Sequence, residues 1–322
     1  PIPACTEKGI VVFNTPGANA NAVKELVICE LFLGGRKITD AIDWVKSLKG
    51  TEGISKAVEK GKSKFVGHEI LGKTLGVVGL GAIGVLVANT AANLGMNVLG
   101  YDPYLSVQAA LHLDNRVKTA DLDTVLRQSD FITVHVPLTP STDKMFNADA
   151  FAKMKEGSVL INNSRGELTD EDAVIAAVES GKLERYITDF PSDKLIGVKN
   201  IICVPHLGAS TPEAEDNCAA MAAQELVDYI ENGNITHSVN FPDVSAPRSS
   251  VSRLAIMHGN VEGAISAITS IISGNNINIA NIIDKSKGEK AYMLLDLDTK
   301  PSDKIIDQIK KLDSVIRVRI FD

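Results

Sequence analysis

The nine residues GVVGLGAIG, positions 76–84, constrain this chain more than any other stretch. An apolar run leads into Gly79-x-Gly81-x-x-Gly84, and AIGVLVANTAANLG then carries its apolar residues at helical spacing. In a strand–turn–helix corner the first glycine permits the tight turn. The second lets an anion approach the backbone, and the third lets helix and strand pack closely. A dinucleotide site of this kind also needs an acid about 20 residues on, to hold the adenosine ribose hydroxyls. Asp102 stands 21 residues after Gly81, at the end of NVLGYD. Strand, glycines, helix and acid are in register, which predicts a dinucleotide site. An acid at that position repels a 2′-phosphate, so the expected cofactor is NAD rather than NADP.

The pattern around this corner alternates. Short apolar runs (TLGVVGL, NVLGYD, FITVHVP, SVLINNS, RYITDF, IICV) are separated by stretches of helical spacing, the signature of a parallel sheet covered on both faces. Two more helices are expected ahead of it, Asn21 to Leu33 and Ile38 to Leu48, and the apolar GIVVF near the start reads as a strand. A long helix begins after Thr211 as N-cap, with Pro212 at its first position, and ends at Gly233. The Pro- and Ser-rich NFPDVSAPRSS then reads as a linker. Beyond it the order strand, helix, strand, strand, helix, strand predicts a ferredoxin-like domain. The fold class is therefore α/β, a doubly wound Rossmann domain followed by a small βαββαβ domain.

Composition removes several alternatives. The net charge of −7 argues against a nucleic-acid partner. No apolar run approaches the roughly 18 residues of a membrane helix. The four cysteines, Cys5, Cys29, Cys203 and Cys218, are far apart and form no C-x-x-C pair. Reduced thiols in a cytoplasmic protein are expected, with neither a disulfide frame nor a metal site.

Hydride exchange between nicotinamide and a hydroxyl-bearing carbon needs a proton acceptor, and an anionic substrate needs a fixed cation. Both should stand at the carboxyl ends of strands, where open α/β sheets form their crevice. SVLINNSRG ends in Arg165, RYITDF leads to Asp189 and Asp193, and IICVPH ends in His206. A buried strand would thus deliver an imidazole to the crevice, with a nearby acid to hold its tautomer.

GLGAIG, HVPLTPST, INNSRGELTD and PHLGAST together resemble the NAD-dependent D-2-hydroxyacid dehydrogenase family, over essentially the whole chain. With the added C-terminal domain, the resemblance implies the branch that oxidises 3-phospho-D-glycerate to 3-phosphohydroxypyruvate, opening L-serine synthesis. It implies that Arg165 holds the substrate carboxylate and His206 is the general acid/base. Asp193 would orient the ring in place of the family's glutamate, one methylene shorter. Ala82 and Ile83 would touch the pyrophosphate, and Val136 and Pro137 would border the cofactor. Asn163, Ser164 and Arg165 would flank the nicotinamide, Asp189 would bind its carboxamide, and His206 and Gly208 would close the pocket. Asn19 would contact substrate or cofactor from the domain hinge. The implied division is residues 1–18 with 210–242 as part of a substrate-binding domain and 19–209 as the NAD-binding domain. Residues 243–251 are a linker and 252–322 the small domain. The opening PIPACTEKGIVVFN matches the end of the family's first subdomain, so a preceding segment with further substrate ligands is expected. Without that segment, residues 1–322 are expected to bind NADH but not to turn over substrate.

Residues 252–322 resemble the ACT type of regulatory domain, which binds amino acids between paired copies. His258, Asn260 and Asn278 would hold L-serine as effector, in a homodimer or homotetramer. Two other readings stay open, a dehydrogenase for a glycerate- or lactate-like acid and an NAD-sensing corepressor that binds protein partners. His135 is expected to pack at a strand end and Trp44 to sit in a core or subunit contact. The lysines between Trp44 and Leu75 either steer a phosphorylated substrate or form a solvated face.

Overall fold

The computed structural model describes all 322 residues, which divide into two compact units: Asn19–Glu215, and Pro1–Ala18 with Asp216–Asp322. The chain starts with α1 (Ile2–Glu7), which belongs to the second unit. Then come α2 (Ala20–Gly35), α3 (Ile38–Ser47), α4 (Ile54–Gly61), β1 (Thr74–Val78), α5 (Ala82–Asn93) and β2 (Asn97–Tyr101). They continue as α6 (Val107–His112), β3 (Val117–Thr119), α7 (Leu122–Gln128), β4 (Phe131–Val134), α8 (Ala148–Lys153) and β5 (Ser158–Asn162). After α9 (Glu171–Glu179), β6 (Leu183–Thr188) and β7 (Ile201–Cys203), the helix α10 (Pro212–Asn232) runs from the first unit into the second.

The seven strands of the first unit are all parallel, in the order β3-β2-β1-β4-β5-β6-β7. The order reverses between β1 and β4, where a doubly wound sheet opens its crevice. Apolar runs such as Phe131–Val134 and Ser158–Asn162 are buried throughout because helices cover both faces. One core lies under α2 and α5, around Val27, Leu31, Val77 and Ala88, and the other under α7, α8 and α9, around Ile132, Phe146 and Val174. Caps fix the helix starts: Asp170 Oδ1 accepts from Ala173 N at 3.2 Å, and Thr211 Oγ1 from Ala214 N at 3.1 Å.

The second unit holds β8 (Ser252–Gly259), α11 (Ala264–Gly274), β9 (Ile279–Lys287), β10 (Lys290–Leu297), α12 (Asp303–Lys310) and β11 (Val315–Phe321). The sheet is antiparallel, ordered β11-β8-β10-β9, as the βαββαβ reading requires. One face packs on the two helices through Leu254, Ile256, Ile268 and Ile306. The other is covered by Ile235, Phe241 and Val244 with Val11 and Phe13, so β8 is buried on both sides. The Arg253 guanidinium, 1% exposed, is paired with Asp296 at 2.6 Å and donates to the carbonyls of Ala246 and Pro247, fixing the segment read as a linker against β8.

GIVVF does not form a strand. Only a single bridge joins Phe13 to Ser238, and the Val12 N–H is taken by the Asn240 side chain at 2.9 Å. A side-chain acceptor there ends any ladder after one step. The structure also contains α4, α6 and β3, which the apolar spacing did not show.

Candidate active site

The six strands β2, β1, β4, β5, β6 and β7 end in one register row: Tyr101, Val78, Val134, Asn162, Thr188 and Cys203. Every expected cofactor and catalytic residue, Asp193 included, lies within six residues beyond it. Asp102 follows β2, Gly79 to Gly84 follow β1, and Val136 and Pro137 follow β4. Asn163, Ser164 and Arg165 follow β5, Asp189 follows β6, and His206 and Gly208 follow β7. At strand spacings of about 4.8 Å the row extends over roughly 24 Å.

The glycine corner has the close packing its motif implies. Gly79 has φ 97°, and a Cβ on it would sit 2.5 Å from the His135 carbonyl oxygen. A Cβ on Gly84 would sit 1.9 Å from the Gly79 oxygen, whereas one on Gly81 would meet nothing within 4 Å. The open space is therefore at Gly81, the N-cap of α5, where no side chain caps the first turn. Uncapped N–H groups of Ala82 and Ile83 at a twelve-residue helix fit a pyrophosphate. Asp102 Oδ2 accepts from Leu80 N at 2.9 Å and Oδ1 from Tyr104 N at 2.8 Å, which pins the carboxylate beside the glycine turn. Its remaining lone pairs can accept from ribose hydroxyls.

At the other end of the row, strand-end hydrogen bonds shape the loops. Asn162 Nδ2 donates to Arg165 O at 2.8 Å, and Ser164 Oγ donates to Val134 O at 3.0 Å. Arg165 itself is exposed and donates to Ser164 O at 2.6 Å, leaving most of its fork open to a carboxylate. The buried Asp189 accepts from Leu207 N at 2.6 Å and from Gly208 N at 2.8 Å. It thereby anchors the loop that carries His206, a job the resemblance did not imply. His206 is exposed, its backbone held in the left-handed region at φ 53°, and its ring rests on Phe190 with centroids 4.9 Å apart. A non-glycine residue there is strained, a state found where surrounding contacts over-determine a functional loop.

The orienting role expected of Asp193 is not what the structure shows. Asp193 is exposed and makes no hydrogen bond to His206, because the Phe190-Pro191-Ser192 turn puts Phe190, not the acid, against the ring. Asn19 is the N-cap residue of α2 and makes no side-chain cap. His135 Nε2 lies 3.0 Å from Thr133 Oγ1, and burial pulls its pKa down to about 4, which suits a packing residue. The residue the sequence reading missed is Glu30 on α2, fully buried, which accepts from Asn163 Nδ2 at 2.6 Å.

Residues 35–208 match the family described as D-isomer specific 2-hydroxyacid dehydrogenase, NAD binding domain, and residues 254–317 match the AHAS small subunit-like ACT domain. The chain is 33% identical to D-3-phosphoglycerate dehydrogenase of Haemophilus influenzae, over 99% of this chain and 77% of the relative. D-3-phosphoglycerate dehydrogenase 1 of Saccharomyces cerevisiae is also 33% identical, over 98% and 70%. The chain belongs to the D-isomer specific 2-hydroxyacid dehydrogenase family. Among solved structures, the holo form of Rhodotorula graminis D-mandelate dehydrogenase aligns with TM-score 0.65 at 27% identity, covering 76% of this chain and 72% of that one. D-lactate dehydrogenase with NAD+ from Lactobacillus jensenii aligns with TM-score 0.60 at 28% identity, covering 74% and 72%. The protein is accordingly an NAD-dependent dehydrogenase.

The second unit of this dehydrogenase contains an ACT domain. Its expected effector residues are spread along the sheet. His258 pairs with Ala291 near the start of β10, while Asn278 precedes Ile279, which pairs with Leu297 at its end. Six residues of strand separate those levels, about 20 Å, so one small ligand cannot reach both within a single copy. Asn260 and Asn278 are exposed; their amide groups donate to Gly288 O and Asp298 Oδ2, and their amide oxygens are free. His258 differs from the expectation. It is 1% exposed, with Nε2 2.8 Å from Asp284 Oδ1 and Nδ1 2.8 Å from Gly259 O.

Two acceptors favour a doubly protonated ring. Burial opposes the charge, but the Asp284 hydrogen bond and the Gly259 carbonyl outweigh it, and the His258 pKa is raised. A raised folded pKa adds stability that is complete below about pH 6.5 and is lost as pH climbs through the folded value. The thermal midpoint should therefore fall as pH rises from about 6.5, and the fall should shrink in Asp284→Asn. Identical pH slopes in the two proteins would remove this contribution.

Proposed function

We propose that this dehydrogenase oxidises 3-phospho-D-glycerate to 3-phosphohydroxypyruvate with NAD, as the opening step of L-serine synthesis. The observation that carries this reading is similarity to D-3-phosphoglycerate dehydrogenases over 98–99% of the chain, the ACT domain included. Arg165 binds the substrate carboxylate through its planar fork. His206 takes the hydroxyl proton as NAD accepts the hydride, and returns a proton in the reverse direction. Asn163 and Ser164 border the nicotinamide, with Val136, Pro137 and Gly208 around it, and Asn19 meets the substrate from α2. Asp189 holds the loop of His206 through Leu207 and Gly208, and its remaining lone pairs face the carboxamide.

The test of the substrate is kcat/KM for 3-phospho-D-glycerate against D-glycerate and D-lactate in the full-length protein. The phosphorylated acid should be preferred; a preference for an unphosphorylated one would replace this substrate with another of the family's acids. Cofactor choice follows from Asp102. NAD should be preferred over NADP at least about tenfold in kcat/KM, roughly 1.4 kcal/mol. Equal values, or a ratio unmoved in Asp102→Ala, would contradict that role.

L-serine is the proposed effector, held between two ACT domains by Asn260 and Asn278 of facing copies. Free amide oxygens suit its ammonium group, while His258, buried with both ring nitrogens engaged, holds Asp284 on β9 rather than the ligand. Calorimetry should show serine binding that is lost in Asn278→Ala, and no heat with serine would leave the domain a structural one. A homodimer or homotetramer agrees with α3 and α4, and the proposed location is the cytoplasm. Neither helix buries an apolar side chain, and Ile42, Val45 and Ile54 are 46–50% exposed. No helix is long and apolar enough to cross a membrane.

A further inference from the structure

Glu30 lies on the buried stripe of α2 with Val23, Val27 and Leu31, and the reaction proposed above makes no use of it. It is 0% exposed, and from α2 it reaches the loop after β5, where Asn163 Nδ2 donates to its Oε2 at 2.6 Å. Asn163 stands two residues before Arg165, in the loop that Asn162 and Ser164 tie to the sheet. The two remaining polar atoms of the pair, Glu30 Oε1 and Asn163 Oδ1, are both buried and both without a partner. With a carboxylate at position 30, both are acceptors and neither can satisfy the other. A proton on Oε1 changes that, because a carboxylic acid and a carboxamide can exchange two hydrogen bonds face to face. We propose that Glu30 is a positioning residue, held as the neutral acid, whose reciprocal pair with Asn163 sets the Asn163–Arg165 loop for hydride transfer.

The surroundings favour the neutral form. Burial is the main cause, the Asn163 hydrogen bond opposes it, the negative Asp189 adds to it, and the pKa is pushed up to about 8. Of the elements against α2, α5 and β5 carry no titratable side chain. On β6, Glu184 is paired with His68 and Arg185 with Asp40. Lys24 and Glu25 on α2 itself pair with each other at 3.5 Å. Asp189 is thus the unpaired charge that faces Glu30, and it also anchors the loop of His206. Ionising Glu30 would place two buried carboxylates together and break the pair beside Arg165. The pair is intact below about pH 8 and is lost as pH climbs through that value.

The inference rests on Arg165 as the substrate-carboxylate ligand, since that placement is what Glu30 serves. The experiment is kcat/KM and NADH affinity from about pH 6 to 10 for wild type, Glu30→Gln and Glu30→Leu. Glutamine presents the same acceptor and donor, so at pH 7 it should keep kcat within about threefold and lose the alkaline decline centred near 8. Leucine fills the space but cannot pair, and kcat should fall by about 100-fold, the scale of a roughly 1 Å misplacement, with NADH still bound. The same alkaline decline in glutamine as in wild type would overturn the proposal, as would leucine turning over as fast as glutamine. Should leucine fail to fold, wild type against glutamine decides alone. Failure of the underlying reading has its own sign, near-wild-type kcat/KM in Arg165→Gln.

Discussion

Replacing His206 with alanine is expected to lower turnover by about 10²- to 10⁴-fold, the range that a positioned acid/base contributes. NADH affinity should stay within about threefold, because the cofactor is gripped mainly at the other end of the register row. The geometry separates the two effects. The His206 ring is exposed and rests only on Phe190, while the loop under it is fixed by Asp189 through the N–H groups of Leu207 and Gly208. Truncation removes the proton acceptor and leaves those bonds in place. Turnover is measured by NADH absorbance and affinity by NADH fluorescence. A variant that keeps a tenth of wild-type turnover would take His206 out of the role.

Gly84→Ala should be nearly as damaging, for a steric reason. Its Cβ would lie 1.9 Å from the Gly79 oxygen and 2.9 Å from the Gly79 carbonyl carbon, both backbone atoms that cannot rotate away. Either α5 moves off β1 or the glycine turn opens. Overpacking of this kind costs about 3 kcal/mol, and a loss of that size in the anion site is about 100-fold in NADH affinity. Gly81→Ala provides the contrast. Its Cβ meets nothing within 4 Å, so the fold should keep its thermal midpoint while the methyl group occupies space open to the cofactor. Unchanged NADH binding in Gly84→Ala would mean that the corner is not the anion site.

These two residues were readable in the sequence because their signals are local. A glycine motif, a following helix and an acid at the next strand end all depend on spacing along the chain, and the register row explains why so many motif residues converge. Signals that depend on neighbours distant in sequence were harder. GIVVF has the composition of a strand, yet Asn240 takes the Val12 N–H before a ladder can form. Asp193 has the right distance from Asp189 along the chain, but a turn of three residues decides that Phe190 meets the imidazole. His258 was expected to face a ligand, and only the pairing of β8, β10 and β9 brings Asp284 to its ring. α6 has no buried residue and therefore no apolar stripe, and its Ser106 cap, which accepts from Ala109 N at 3.1 Å, was not read in the sequence. Glu30 did leave a trace, as an acid at i+7 from Val23 and i+3 from Val27 on an apolar stripe. That pattern marks a charged-type residue bound for the core.

The most direct test of the account is hydride transfer from NADH to 3-phosphohydroxypyruvate by the full-length protein, with wild type and Arg165→Gln compared. The strand ends should act as one site. Wild type should consume NADH with saturation in the 2-oxo acid, and Arg165→Gln should raise KM by about tenfold or more, since a bidentate carboxylate contact is lost. NADH that binds wild type but is not consumed with this or any other 2-oxo acid, or an unchanged KM in Arg165→Gln, would contradict it.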